Sequence, residues 1–252
     1  MKAISKMCSA FISRFACRQG AAGRPLFGPA ETGAIGKLAD GLAHEIRNPL
    51  AIIIQGLECL KEGAGPADGS AKTIIKYIED AAGRIDRITK GLVDFSHPGT
   101  PEMSPQDLNA AVREALSLMK PQLEQGHIEI REDFQGGLPQ ISADKNKLQQ
   151  LLAILILNAI QSMTAGGILA IKTCFSGRRR IAVQIEDSGK GMPPEVLNRI
   201  FNPFFTTKRD KGCIGLGLCM ARNIVAMHGG VLEIGNRPGT AGVRAAVIFR
   251  WP

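Results

Sequence analysis

Residues 35–60 read IGKLADGLAHEIRNPLAIIIQGLECL, and the spacing of their apolar side chains predicts the first element of the fold. Apolar residues recur at every third or fourth position, which is the period of an amphipathic α-helix. These positions are Ile35, Leu38, Leu42, Ile46, Leu50, Ile53, Leu57 and Leu60. Segment 63–69 contains three glycines and a proline. We expect it to end the helix.

A second apolar stripe occupies residues 74–95, and its steps alternate between four and three residues, which favours coiled-coil packing. Its members are Ile74, Ile78, Ala81, Ile85, Ile88, Leu92 and Phe95. His97-Pro98-Gly99 predicts the end of this helix. Because one hairpin covers only part of each stripe, we expect two copies to form a four-helix bundle. Packing of both stripes against the C-terminal half of the same chain is the alternative.

His44 occupies a position on the first predicted helix that turns away from the apolar stripe. Two residues correspond to a rotation of about 200°, so His44 points away from Leu42 and Ile46. Asn48 follows four residues later on the same face, and Glu45 lies beside it. A neutral imidazole can attack a phosphoryl group while a carboxylate accepts a hydrogen bond from its other nitrogen. Considered alone, a solvated histidine without a chemical role is the alternative.

After residue 106 the pattern changes to a mixture of helices and strands. The predicted helices are 107–125, 145–163 and 215–228, and the predicted strands are 127–134, 168–174, 180–186, 231–234 and 243–249. Strands 168–174 and 180–186 are expected to be neighbours. The expected product is a sheet covered on one face by helices.

Two glycine-rich segments in this half are typical of nucleotide sites. Residues 186–192 read EDSGKGM, in which Asp187 could accept a hydrogen bond from an exocyclic amine while the glycines allow close approach. Residues 215–218 read GLGL and open a predicted helix whose free N–H groups could bind phosphates. An ordinary glycine-rich turn is the alternative for the first segment.

Together these motifs resemble the sensor histidine kinases of two-component systems. Residues 43–50 resemble their phosphoacceptor box, and residues 155–163, 186–192, 201–208 and 215–218 resemble their nucleotide-binding boxes in the same order. The resemblance implies an α+β protein. A dimeric helical hairpin, forming a four-helix bundle in the dimer, would precede an α/β sandwich ATP-binding domain of the histidine-kinase and Hsp90 type. The expected domains are a disordered basic arm at 1–30, the hairpin at 31–98, a linker at 99–106 and the ATP-binding domain at 107–252.

The resemblance also implies a role for each matching residue. His44 would take the phosphoryl group, Glu45 would assist, and Asn48 would position water for dephosphorylation of the partner. Asp187 would read adenine, Asn158 would help to hold Mg²⁺, and residues 208–215 would form a flexible lid. The expected nucleotide contacts are Asn158, Asp187, Gly189, Gly191, Thr207, Lys208, Gly215, Gly217 and Leu218. The implied cofactors are ATP and Mg²⁺.

The implied activity is autophosphorylation of His44, followed by relay of the phosphoryl group to an aspartate of a separate response-regulator receiver. The resemblance also implies that the chain can dephosphorylate that receiver. Two departures from the family pattern leave an alternative open. Ile154 stands where a polar residue, often Asn, usually precedes Asn158 by four positions, and Cys213 stands at the first glycine of the last box. A kinase-impaired nucleotide-binding scaffold or receiver phosphatase is therefore the second hypothesis. An Hsp90-like chaperone or mismatch-repair ATPase would not explain the helix that carries His44.

Charge and composition exclude several other classes. The net charge is +8, but the first 30 residues hold five basic residues and no acid, so the other 222 residues carry only +3. We therefore expect no nucleic-acid partner. The apolar runs, such as 151–157, are too short to cross a bilayer, and the six cysteines show no CxxC pair. We expect a cytoplasmic homodimer that receives its input through the arm, from a separate sensory protein or from a region missing from this chain.

Overall fold

The computed structural model describes residues 46, 48–60, 70–96, 100–208, 213 and 215–251. Several predicted features lie outside these residues: the arm at 1–30, His44, Glu45, the turn at 63–69, residues 97–99 and most of the lid at 208–215. The described residues form two compact units. The first unit contains residues 100–201 and 217–251. The second unit contains the described residues up to 96 together with those between 202 and 216.

Two helices dominate the second unit, as predicted: α1 at 48–60 and α2 at Ser70–Ser96. They meet at Gly56, where an added Cβ would lie 2.8 Å from Cγ1 of Ile78. The shielded positions of α1 are 46, 49, 53, 56 and 60. Leu50 and Leu57 of the predicted stripe are instead 45% and 46% exposed. Pro49 is instead buried, and Gly56 packs against α2.

The α2 stripe follows the prediction more closely. Ala81 and Ile88 are buried, and Ile74, Ile78 and Ile85 are partly buried. No helix among the described residues is long and apolar enough to span a bilayer.

A five-stranded mixed sheet organises the first unit. Its strands are β2 (Ile128–Phe134), β4 (Gly167–Phe175), β5 (Arg180–Asp187), β6 (Val231–Asn236) and β7 (Val243–Arg250). The order is β2-β4-β5-β7-β6, with β2 and β4 parallel and the other neighbours antiparallel. A separate antiparallel pair joins β1 (Met103–Gln106) to β3 (Ile141–Asp144). The predicted pairing of β4 with β5 is confirmed.

Helices lie on one face of this sheet. They are α3 (Leu108–Leu118), α4 (Lys120–Gln125), α5 (Lys145–Ser162) and α7 (Gly217–Met227), and a short helix α6 covers Pro194–Leu197. The core contains Leu151, Leu152 and Ile156 of α5 together with Val183 and Val247 of the sheet, all fully buried. Truncating one of the larger side chains to Ala should cost about 2–5 kcal/mol. This core fixes α5 across the sheet and so positions the site residues that follow.

Three sequence predictions need correction. The single helix expected at 107–125 is two helices, because the chain breaks at Met119 and restarts with Pro121 in the first turn of α4. Asp107 is not the first helical residue but the N-cap of α3, and its side chain accepts hydrogen bonds from the N–H groups of Asn109 and Ala110. Residues 103–106, expected to be linker, form strand β1.

Candidate functional site

Asp187 ends strand β5 and is 4% exposed. Its Oδ1 accepts hydrogen bonds from the backbone N–H of Gly189 at 2.8 Å and of Val243 at 3.3 Å. Among the described residues, both hydrogen bonds to this carboxylate are accepted by Oδ1. Oδ2 is therefore the oxygen that remains to accept from an amine of a ligand.

Gly189 is required by close approach to the end of α5. A Cβ at this position would lie 2.5 Å from Oγ of Ser162 and 2.8 Å from Oδ1 of Asp187. Contacts this short exclude any side chain without movement of the helix end or the loop. The loop is also fixed by Ser188, whose Oγ accepts a hydrogen bond from Ile168 N at 2.9 Å.

Asn236, which the sequence analysis missed, holds the other end of the same loop. Its Oδ1 accepts from Met192 N at 2.8 Å, and its Nδ2 donates to Met192 O at 2.7 Å. Gly191 has a φ of +77°, and a Cβ there would lie 3.1 Å from Oδ1 of Asn236. The predicted glycine is thus needed both for the left-handed backbone and for the approach of this amide.

The hairpin between β6 and β7 forms the wall behind Asp187. A Cβ on Gly242, whose φ is +114°, would lie 1.9 Å from the carbonyl oxygen of Asp187. Arg237 donates from Nη1 to the same carbonyl at 3.4 Å, and its Nε lies 3.2 Å from Oε2 of Glu186. Arg244 forms a second ion pair with Glu186. A sequence signal existed, since Asn236 and Gly242 bracket a PG turn, but it indicates a hairpin without saying what the hairpin contacts.

Helix α5 links the two ends of the candidate site. Ile154, Asn158 and Ser162 lie at successive i, i+4 positions and so share one face of the helix. Ser162 meets Gly189 at one end, and at the other a Cβ on Gly217 would lie 3.4 Å from Cγ2 of Ile154. The face spans about 12 Å along the helix axis. Asn158, which is partly buried, lies midway between the Asp187 loop and the start of α7.

Helix α7 begins at Gly217 and supplies the free N–H groups of its first turn. No acidic residue occupies that turn, so the positive end of the helix dipole is not offset there. Leu218 packs against the core and anchors the helix start. Burial raises the pKa of the Cys219 thiol to about 11, so this neighbour stays neutral as well.

Three further predicted contacts belong to the other compact unit. Thr207 is exposed, and Lys208 and Gly215 are partly buried. Gly215 has a φ of +79°, and a Cβ there would lie 2.6 Å from the carbonyl carbon of Phe204. Glycine is therefore required at this point of the lid segment for a local backbone reason.

Asn48 is the one predicted acceptor-helix residue among those described. It lies in helical backbone and is exposed, as predicted. His44 and Glu45 lie outside the described residues.

Among the described residues, no group of three or more His, Cys, Asp or Glu side chains comes together. A cage built only from protein ligands is therefore not present in that part of the chain. Mg²⁺ needs no such cage, because it is commonly held by one or two protein oxygens together with phosphate oxygens and water. The amide oxygen of Asn158 fits that pattern, whereas the aliphatic side chain of Ile154 adds no ligand.

Comparison with known protein families matches both halves of the chain. The model described as "His Kinase A (phospho-acceptor) domain" matches residues 34–101. The model described as "Histidine kinase-, DNA gyrase B-, and HSP90-like ATPase" matches residues 143–252.

The chain is also similar to curated kinases. The chain is 35% identical to sensor histidine kinase ZraS of Escherichia coli K12 over 206 residues, which are 82% of this chain and 43% of ZraS. It is 34% identical to sporulation kinase A of Bacillus subtilis 168 over 82% of this chain and 33% of that protein. The chain thus spans less than half the length of these relatives.

Solved structures share the fold. The histidine kinase ThkA, crystallised in complex with response regulator protein TrrA, matches with a TM-score of 0.71 at 24% identity over 88% of this chain and 64% of that one. The nucleotide-free catalytic domain of ThkA matches with a TM-score of 0.53 at 29% identity, over 59% of this chain and 95% of that domain.

Proposed function

Because the chain belongs to the histidine kinases of two-component signalling, we propose that it transfers the γ-phosphoryl group of ATP to His44 and from there to an aspartate of a separate receiver protein. The observation that carries the proposal is the Asp187 carboxylate, held by two backbone N–H groups on one oxygen. A buried, oriented acceptor of this kind suits recognition of the adenine amine.

ATP would lie along the face of α5 that carries Ile154, Asn158 and Ser162. The base would pair with Oδ2 of Asp187, while the phosphates would extend toward the first N–H groups of α7 at Gly217 and Leu218. Gly189 and Gly191 would line the base, and Thr207, Lys208 and Gly215 would approach the phosphates from the lid segment. Asn158, between these ends, would contribute an oxygen ligand to Mg²⁺. When bound, that ion offsets triphosphate charge and orients the γ-phosphoryl group.

The acceptor chemistry belongs to the segment around His44. A nitrogen of the neutral imidazole would form a bond to the γ-phosphorus as the bond to the bridging oxygen breaks and ADP leaves. The proton on the other ring nitrogen would pass to Glu45. Asn48, whose exposure leaves its amide open to solvent, would position the water that later dephosphorylates the receiver.

A second copy of the chain would complete the helical unit. Leu50, Ile54 and Leu57 are each 45–48% exposed and recur at steps of four and three along α1. They form a second apolar seam beside the one that packs on α2. We infer that this seam is covered by the equivalent helices of the second copy, giving a four-helix bundle. Leu50→Lys with Leu57→Lys should shift the full chain toward monomer in analytical ultracentrifugation, and an unchanged dimer would contradict the inference.

The receiver is the proposed phosphoryl acceptor for a chemical and a comparative reason. Phosphohistidine is a reactive donor that needs a positioned partner. The similar protein ThkA was crystallised with a response regulator. The relay therefore requires a second protein, which phosphotransfer from the labelled chain to purified receivers would identify.

The decisive experiment labels the chain with γ-labelled ATP and Mg²⁺. His44→Gln should abolish acid-labile label while leaving nucleotide affinity unchanged. His127→Asn is a matched control, because His127 is exposed and has a φ of +49°, which Asn tolerates. Label that persists in His44→Gln, or that is lost in His127→Asn, would overturn the assignment of the acceptor.

One observation favours the second candidate, a kinase-impaired receiver phosphatase. Ile154 fills the place beside Gly217 where a polar group would help to hold the metal and phosphates. An intact dimer that binds ATP, takes no label at saturating Mg-ATP and still dephosphorylates a receiver would establish this candidate over the kinase.

A further inference from the structure

Four arginines cluster at the end of the five-stranded sheet opposite to Asp187. Arg178 and Arg179 lie in the turn between β4 and β5, Arg180 begins β5, and Arg250 ends β7. The strand register pairs Arg180 directly with Arg250. Arg178, Arg179 and Arg250 are exposed, and Arg180 is partly buried. We name these four residues the arginine tip.

No acid of the described residues forms an ion pair with the arginine tip. Among the described residues, none of its four side chains takes part in an ion pair, whereas Arg237 and Arg244 at the other end of the sheet share Glu186. The sequence contains no Asp or Glu at 174–185 or at 245–252. Like charges placed directly opposite each other on paired strands repel. The tip is therefore a concentrated positive surface whose repulsion would be relieved by an external anion.

The backbone holds this tip in a defined shape. Ser176 N donates to Arg180 O at 2.8 Å, and Trp251 N donates to Arg179 O at 3.3 Å. Arg179 itself has a φ of +57°. The guanidinium groups are therefore carried on a tight hairpin end, and little backbone ordering is required when they bind a partner.

Two apolar side chains accompany the arginines. Phe175, at the end of β4, is 49% exposed, and Val231, at the start of β6, is 51% exposed. Val231 is paired with Ile248 and so lies on the same sheet face as Arg250. Basic groups and exposed apolar groups thus occur together at one end of the sheet.

We propose that the arginine tip binds the anionic surface of a lipid bilayer. Guanidinium groups bind phosphate and carboxylate oxygens in pairs, and Phe175 and Val231 can enter the boundary between headgroups and acyl chains. Nucleic acid fits less well, because single strands require stacking platforms and the tip offers one exposed aromatic ring. A polyacidic protein segment would neutralise the arginines but would leave Phe175 and Val231 exposed to water.

Each arginine should contribute about fivefold to binding of an anionic membrane. The full chain should therefore sediment with vesicles that contain phosphatidylserine, but not with vesicles of phosphatidylcholine alone, and added salt should weaken the binding. Arg178→Gln combined with Arg179→Asn should bind about 25-fold more weakly. Asn suits the positive φ at position 179, so the variant should fold normally, which its thermal unfolding midpoint would check.

The matched control removes the same charge elsewhere in the unit. Lys120→Gln combined with Arg131→Gln neutralises two exposed side chains outside the tip and should bind vesicles as the unaltered chain does. Phe175→Ser should weaken binding without changing its salt dependence. If the arginine-tip variant binds vesicles as tightly as the unaltered chain, the proposal is wrong. Binding would then belong to another basic segment, such as residues 1–30. Preferential binding of duplex DNA or of a polyglutamate peptide over phosphatidylserine vesicles would also overturn the proposal.

Discussion

Ile154 packs against the first residue of helix α7: its Cγ2 would lie 3.4 Å from a Cβ placed on Gly217. An aliphatic side chain thus borders the N–H groups that are proposed to bind phosphates. Ile154→Asn should restore a polar ligand beside Asn158 and raise affinity for Mg-ATP on the order of tenfold. Isothermal titration with Mg-ATP measures the effect, and Ile154→Val controls for the change in packing. Equal affinity of the Asn and Val variants would show that Ile154 is not the limiting residue.

Asp187→Asn tests the adenine contact. The variant retains an oxygen to accept from Gly189 N and Val243 N, but its second polar atom becomes a donor instead of an acceptor. Affinity for ATP should fall about 10- to 100-fold, since a buried donor would face the adenine amine. Inosine triphosphate carries a carbonyl in place of that amine, so the substitution should lower its affinity much less. A parallel loss for both nucleotides would place Asp187 in a structural role.

Asn236→Ala tests the side chain that holds the glycine loop at Met192. Loss of both hydrogen bonds should lower nucleotide affinity about tenfold, because the loop no longer presents Asp187 and Gly191 in one geometry. Asn109→Ala is the control, since Asn109 also makes two side-chain hydrogen bonds, to Gln135 and Thr173 at the far end of the sheet. The free energy of unfolding should fall by a similar amount in both variants, whereas only Asn236→Ala should lower the affinity for nucleotide.

Gly242→Ala should destabilise the first unit severely, by more than about 4 kcal/mol, because its Cβ would overlap the carbonyl of Asp187. Gly239→Ala is the matched comparison in the same turn. Gly239 also has a positive φ, of +72°, but nothing lies within 4 Å of its Cβ position. It should cost only about 1 kcal/mol. Urea unfolding separates the two effects, and similar losses would mean that the hairpin can move away from β5.

Asp144 predicts a specific dependence of stability on pH. Hydrogen bonds from the backbone N–H of Lys147 and of Glu102 lower the pKa of its carboxyl group. The stabilisation is therefore fully present above the unfolded-state pKa of about 3.9 and is lost as the pH falls through the lower folded-state pKa. Asp144→Asn keeps an N-cap oxygen but does not titrate. The difference in urea-unfolding free energy between the two proteins should shrink across that window. A difference independent of pH would contradict this account.

Periodicity in the sequence was enough to predict the two long helices, the pairing of β4 with β5 and helix α5, because each buries one regular face. The same reasoning misassigned part of α1. Pro49 is buried and Gly56 packs against α2, although neither residue is strongly apolar. Gly56 allows the two backbones to approach closely and buries little apolar area of its own. The break at Met119 was missed because Pro121 is tolerated in the first turn of a helix and so did not mark a boundary.

The candidate site likewise contains residues that the sequence predicts and residues that it does not. Asp187, Gly189 and Gly191 could be predicted because they lie in one short motif. Asn236 and Gly242 follow about 50 residues later. Asn236 reaches Met192, and Gly242 reaches Asp187, only because the antiparallel pairing of β5 with β7 brings the β6–β7 hairpin to this end of the sheet. No local pattern encodes a contact that depends on which strands become neighbours.

Because the β6–β7 hairpin lies near the C-terminal end of this sequence, the candidate nucleotide site is completed only after this hairpin has been synthesised. Every residue expected to touch nucleotide precedes residue 219, yet the wall behind Asp187 is built from residues 236–243. A polypeptide released after α7 would carry every recognisable motif and still lack the strand that separates β5 from solvent. During synthesis, ATP binding should therefore begin only once the last strand has left the ribosome, and C-terminal truncation should be as damaging as loss of Asp187 itself.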